Sequence, residues 1–311
     1  MEMPLDPVLR KTLDTMPDMS NFDYNSINIG EYRKTEAAES GRTRPDAPNA
    51  ETQDFVIRVE GGEIGARLYS TENASDALIV FFHGGGFVFG SIDSYDYICR
   101  TMAHYSGCRI LSVGYRLSPE HKFPTAVHDA FAAFMWAREH SSELKANMGR
   151  IAVSGDSAGG NLAAAVTLMC KDTGKPMPQL QLLFYPVVGY DTTSFSQSEY
   201  SGGYNLDNPY TKWFTEKYIR GDTDLLHPYY SILSHDNLSG LPETIVFTAE
   251  YDTLRDPAET FVYRLREAGT EATGIRALGM FHAFVSHIST SNAARNFFRM
   301  ACGLASEKLR K

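Results

Sequence analysis

The chain has 311 residues, 43% of them hydrophobic and 22% charged, which is ordinary globular usage and leaves enough apolar surface for a large buried core. A formal net charge of -9 without any block of Lys and Arg gives nucleic acid no electrostatic footprint, and no apolar run reaches the roughly 18 residues that a membrane span needs. The opening Met1-Glu2-Met3-Pro4-Leu5-Asp6 lacks a basic region followed by an apolar one, so no signal peptide and a cytoplasmic location are the expectation.

Residues 1–52 read as a helical arm and a linker: 4–16 has helical spacing, whereas 36–52 is rich in Glu, Arg, Ala, Pro and Asn. Short strand patterns follow at 54–59, 65–69, 77–82, 109–115, 150–154, 179–185, 244–249 and 274–278. Helical patterns alternate with them at 95–105, 125–140, 160–171, 257–267 and 284–308. The run Leu78-Ile79-Val80-Phe81-Phe82 is too continuous for a sheet wet on one face, so it fits a mostly parallel, eight-stranded sheet covered by helices on both sides. Residues 53–311 are expected to form one catalytic α/β domain, interrupted at 187–243 by an insertion with one clear helix, 209–220. An insertion of that size suggests a lid, which the arm would help to build as a cap. Cys99, Cys108, Cys170 and Cys302 show no CxxC spacing, so buried free thiols are expected and no metal site.

The sharpest local signal is Gly155-Asp156-Ser157-Ala158-Gly159, a G-x-S-x-G pentapeptide between a strand and an apolar helix. A nucleophile elbow needs that order of strand, tight turn and helix, because the strained turn lifts the serine hydroxyl clear of the sheet. The following helix aims free N–H groups and its positive end at the same place. Upstream, Phe82-His83-Gly84-Gly85-Gly86-Phe87 also follows an apolar strand, and its glycines let the backbone approach a developing oxyanion closely. A serine needs a base, and of His227, His235, His282 and His287 downstream, His282 lies in the turn after the last strand. The strand at 244–249 leads into three carboxylates, Glu250, Asp252 and Asp256; Asp252 is preferred as the orienting acid, Glu250 could brace the loop, and Asp256 before Pro257 reads as a helix cap. Phe87, Phe89, Trp213 and Phe214 are candidates for pocket walls or for plain packing.

These segments, with Tyr115-Arg116-Leu117-Ser118-Pro119-Glu120 between the glycine loop and the elbow, resemble the hormone-sensitive-lipase-like branch of the α/β-hydrolases, and within it bacterial acetyl esterases. The resemblance runs from about Ala77 to the C-terminus. It implies an α/β-hydrolase fold with a helical cap, a triad of Ser157, Asp252 and His282, and an oxyanion hole from the N–H groups of Gly85, Gly86 and Ala158. It also implies that His83 and Gly84 shape the glycine loop, that Asp156 belongs to the elbow pattern, and that Arg116 pairs with Glu120. The activity it implies is hydrolysis of short acyl esters through an acyl-enzyme, with a small ester and water as partners and no cofactor or metal. An amidase or lipase on the same fold is the nearest alternative, and a small-molecule-binding protein without catalysis is a more distant one.

Overall fold

The apolar runs all enter one sheet: β1 (Glu51–Val59), β2 (Gly62–Ser70), β3 (Leu78–Phe82), β4 (Arg109–Gly114), β5 (Ile151–Asp156), β6 (Leu180–Phe184), β7 (Glu243–Tyr251) and β8 (Ala272–Phe281). The architecture comes from a computed structural model that describes residues 4–16, 22–40, 46–190 and 193–310. Strand order is β1-β2-β4-β3-β5-β6-β7-β8. The pairs β1/β2 and β2/β4 are antiparallel, and every later pair is parallel. Parallel neighbours need long crossovers, which α3 (Asp96–Ser106), α4 (Thr125–Glu139), α5 (Ala158–Asp172), α9 (Arg255–Glu267) and α10 (Asn292–Leu309) supply or cover.

Strand β3 shows why its sequence is unbroken. Leu78, Val80 and Phe82 face one core, shared with Phe134 of α4 and Leu162 of α5, while Ile79 and Phe81 face the other, shared with Met102 of α3 and Phe298 of α10. All five are fully buried, and burying each such side chain contributes about 1.5–3 kcal/mol. The doubly covered, eight-stranded α/β sheet is therefore as the sequence led one to expect.

The segments outside the sheet differ more from expectation. Helix α1 (Pro7–Thr15) lies within the stretch expected to be helical but starts three residues later, where Asp6 accepts from the N–H groups of Val8 and Leu9. The stretch read as the start of a linker is instead the end of a second helix, α2 (Ile29–Ser40). The insertion holds three described helices rather than one: α6 (Phe195–Glu199), α7 (Asn208–Tyr218) and α8 (Asp222–Leu225). Two of these have five residues or fewer, too short to show a helical period. The expected helix over 284–308 is split: Ala283 takes a left-handed φ of 65°, a single 3-10 turn follows at Phe284–His287, and Ser291 caps α10 by accepting from Ala294 N–H.

One expected ion pair is replaced. Arg116 makes a bidentate bond with the fully buried Asp129, and Glu120 pairs with Arg33 of α2, because the chain turns sharply between them and presents the two side chains to different neighbours. The four cysteines are buried and free. Among the described residues no cluster of His, Cys, Asp and Glu could hold a metal, and no helix is long and apolar enough to cross a membrane.

Candidate active site

Because β3, β5, β7 and β8 run parallel, the loops after their C-terminal ends gather at one rim of the sheet. Ser157 sits in the first of these to consider, between β5 and α5, with φ 54° and ψ -117°. A non-glycine residue there is strained by about 1–3 kcal/mol, a cost the surrounding packing must offset. Glycine is required at Gly159, where a Cβ would lie 1.9 Å from the Phe82 carbonyl oxygen; the elbow can thus press against the end of β3.

The loops after β7 and β8 bring two further side chains to Ser157. The imidazole of His282 has Nε2 2.9 Å from Ser157 Oγ and Nδ1 2.8 Å from Asp252 Oδ2. With the carboxylate as acceptor, the proton sits on Nδ1, which leaves Nε2 to accept from the serine hydroxyl. Asp252 is fixed in turn by accepting the Leu254 N–H on Oδ1 at 2.9 Å. All three groups are buried, which strengthens their mutual interactions.

The two rival carboxylates are engaged elsewhere. Glu250 accepts the Gly279 N–H at 2.6 Å and so braces the end of β8, just before His282. Asp256 lies in the first turn of α9 but caps nothing there, since the N-cap residue is Leu254. Its carboxylate instead pairs with Arg255 and accepts from Ser196 N–H, fastening α6 of the insertion. The rival histidines also point away, His235 towards Asp172 and His227 towards the Tyr229 N–H.

The glycine loop lies across the mouth of the elbow. Among the described residues no acceptor meets the N–H of Gly85 or Gly86, and Ala158, as the first residue of α5, has no intrahelical acceptor. Around them a buried network sets the backbone. Asp156 Oδ1 accepts the Gly84 N–H at 2.8 Å and Oδ2 accepts from Tyr95 OH at 3.0 Å. The Tyr115 hydroxyl donates to the His83 carbonyl at 2.8 Å, and its ring stacks on the His83 imidazole, whose Nδ1 lies 2.8 Å from the Gly84 carbonyl. Burial lowers the His83 pKa to about 4, so the ring is neutral at ordinary pH. Burial raises that of Asp156 to about 6 against the pull of its hydrogen bonds.

Ser157, His282, Gly85 and Gly86 open into a cavity of about 440 Å³. Phe87, Phe89 and Phe214 line it, whereas Trp213 packs behind, stacked on Phe89 and buried with Tyr24. Sequence reading does not single out Tyr32 and Glu36 of α2, or Asn205 of the insertion, all of which reach the cavity. Asn205 also donates from Nδ2 to the His282 carbonyl at 3.1 Å. No local pattern marks these residues, because their partners lie tens of positions away.

A family model described as the α/β-hydrolase fold matches residues 79–286. The chain belongs to that family. Its relatives put it in the hormone-sensitive-lipase-like branch. It is 40% identical to an arylesterase of Saccharolobus solfataricus, over 93% of this chain and 95% of that protein. It is 28% identical to an acetyl esterase of Salmonella choleraesuis (strain SC-B67), over 90% of each. Among solved structures, a hyperthermophilic esterase from the archaeon Pyrobaculum calidifontis superposes with a TM-score of 0.92 at 36% identity, covering 98% of this chain and 99% of that one. Members of the family are similar to this chain along nearly its whole length, insertion included.

Proposed function

We propose that this chain is a carboxylesterase that cleaves short acyl esters through an acyl-enzyme on Ser157. The observation that carries the proposal is the 2.9 Å approach of His282 Nε2 to Ser157 Oγ, and the N–H groups of Gly85 and Gly86 at the same cavity and of Ala158 beside the serine, unpaired among the described residues, support it. His282 takes the hydroxyl proton as Oγ bonds to the ester carbonyl carbon, and the carbonyl oxygen becomes an oxyanion held by the N–H groups of Gly85, Gly86 and Ala158. Collapse expels the alcohol, which takes the proton from Nε2. Water then repeats the sequence: it gives a proton to His282, attacks the acyl carbon, and frees the acid as Ser157 Oγ regains its proton. Asp252 holds the imidazole in the working tautomer. Ser157, His282 and water account for every bond and proton, so these steps call on no metal or cofactor.

Helix α2 of the N-terminal arm and the insertion at 187–243 form a cap on this site, whereas α1 packs into the core beside β8 and α10 and β1 already begins at Glu51. That division is supported by Tyr32 and Glu36 from the one, and Gln197, Tyr210 and Phe214 from the other, around a single cavity. Short acyl chains are favoured because Phe214 closes the space above Gly86, and the name of the Salmonella relative agrees. The aromatic walls and the arylesterase relative add phenyl esters to the expected substrates. Four buried free thiols fit a reducing compartment, and the cytoplasm is the location we assign.

The test is a panel of p-nitrophenyl esters from acetate to palmitate, run on wild type beside Ser157→Ala. Highest turnover at short chains, lost by a factor of roughly 10⁴ or more in the variant, is the expected result. A maximum at long chains would overturn the acyl preference, and a folded Ser157→Ala with normal activity would overturn the nucleophile.

A further inference from the structure

The glycine loop is held from outside by α2 in a way that bears on its donors. Arg33 Nε donates to the Val88 carbonyl oxygen at 2.9 Å. That carbonyl shares one planar peptide with the Phe89 N–H, which donates to the Gly85 carbonyl oxygen at 2.8 Å. The Gly85 carbonyl in turn shares a peptide with the Gly86 N–H, one of the proposed oxyanion donors. The result is a head-to-tail chain: guanidinium, peptide, peptide, and then the open N–H.

We propose that Arg33 is a positioning residue for the oxyanion hole, acting through this relay of two peptide units to set the direction of the Gly86 N–H and to polarise it. A rigid peptide cannot turn its N–H without turning its carbonyl, so anchoring Val88 and Gly85 anchors Gly86. Hydrogen bonds aligned in series strengthen one another, and a cation at the donor end of the series draws electron density away from the far N–H.

The guanidinium is well placed for this. Its Nη2 donates to the Ser118 carbonyl at 2.5 Å, and Nη1 and Nη2 form a bidentate pair with Glu120 at 2.9 and 3.1 Å. On the next turn of α2 Glu36 accepts the Gly90 N–H at 3.1 Å, and the ring of Tyr32, next to Arg33 in the chain, lies 4.3 Å from that of Phe89. Three consecutive residues of the loop, Val88 to Gly90, are thus gripped by one helix. Misplacement of a catalytic group by about 1 Å can cost about 100-fold in rate, so even a modest slackening of the loop should be measurable.

The relay presupposes Ser157 as nucleophile, and the experiment separates the two. Arg33→Met removes the charge and all donors, Arg33→Lys keeps the charge and part of the bonding, and Lys34→Ala on the exposed face of the same helix is the control. For each, kcat and KM for p-nitrophenyl acetate are compared with the inhibition constant of n-butylboronic acid, whose adduct with Ser157 puts an oxygen in the hole.

Arg33→Met is expected to lower kcat about tenfold or more, to weaken the boronic acid by a similar factor, and to leave KM within about threefold. Arg33→Lys should fall between it and wild type, and Lys34→Ala should match wild type. A folded Arg33→Met with normal kcat and normal boronic acid affinity would overturn the relay. So would a rise in KM alone, which marks α2 as a mere substrate wall. Should Arg33→Met not fold, Arg33→Lys decides the matter, since kcat and boronic acid affinity must still fall together in it. A wild type inert towards every ester would instead sink the esterase reading itself.

Discussion

Gly86 and Phe214 stand so close that a Cβ on the glycine would lie 2.1 Å from the phenylalanine ring. The ring, carried on α7, packs over Gly86, whose N–H is one of the proposed oxyanion donors, and Gly86 itself has a φ of 62°. Gly86→Ala should therefore lower kcat/KM by about 100-fold or more, by displacing an oxyanion donor. Adding Phe214→Ala should restore only part of it, since the backbone conformation still disfavours a side chain. Steady-state kinetics on the single and double variants measures both effects.

Phe214 alone carries a second expectation. Phe214→Ala opens the roof of the cavity, so the chain-length optimum should move to longer acyl groups while acetate turnover drops less than about tenfold. The ester panel measures the shift directly, and an unchanged profile would place the acyl group elsewhere in the cavity.

The acid can be tested against its neighbour. Asp252→Asn should lower kcat about 10⁴-fold, because an amide no longer holds the imidazole in the working tautomer. Asp256→Asn should keep turnover within about tenfold yet lower the melting temperature, since it loosens the tie from α9 to Ser196. Kinetics and thermal unfolding of the pair separate the roles, and the reverse ranking would move the acid to Asp256.

Stability should respond to pH through His83 and Asp156 in opposite senses. For His83 the folded pKa, about 4, is below its ordinary 6.5, so on acidification the unfolded chain takes the proton first and stability is lost between about 6.5 and 4. For Asp156 the folded value, about 6, is above its ordinary 3.8, so the native state takes the proton first and stability is gained between about 6 and 4. Each effect is on the order of 3 kcal/mol and the two largely cancel. Asp156→Asn removes the compensating half, so its melting temperature should fall more steeply than that of wild type between pH 6.5 and 4. Calorimetry over that range would show parallel curves if Asp156 were ionised throughout.

Much of the fold is legible because its signals are local. Buried parallel strands such as β3 announce themselves as unbroken apolar runs, and the elbow at Ser157 needs its glycines within two residues on each side. The legible part of the site is the part that lies in strand-end turns: Ser157, Asp252, His282 and the glycine loop. What stays hidden depends on distant partners. Glu36 looks like linker because nothing near it in sequence reveals that Gly90 lies across from it. Arg116 reads as a partner of Glu120, four positions away, when the helix α4 places Asp129 at its side. Helices α6 and α8 are too brief for periodicity to register. Asp256 looks like a cap because the proline after it suggests a helix start, yet the contact that employs it comes from Ser196, sixty positions upstream.

The bond from Asn205 to the His282 carbonyl has a bearing on how such enzymes change over time or by design. The insertion that lines the cavity also grips the backbone of His282, the proposed base. Exchanging that segment wholesale for one from a relative would retune selectivity and proton transfer together, so a graft that preserves an amide donor opposite residue 282 should outperform one chosen for pocket shape alone. On the proposed roles, substrate preference and chemical power would be inherited here as a linked pair.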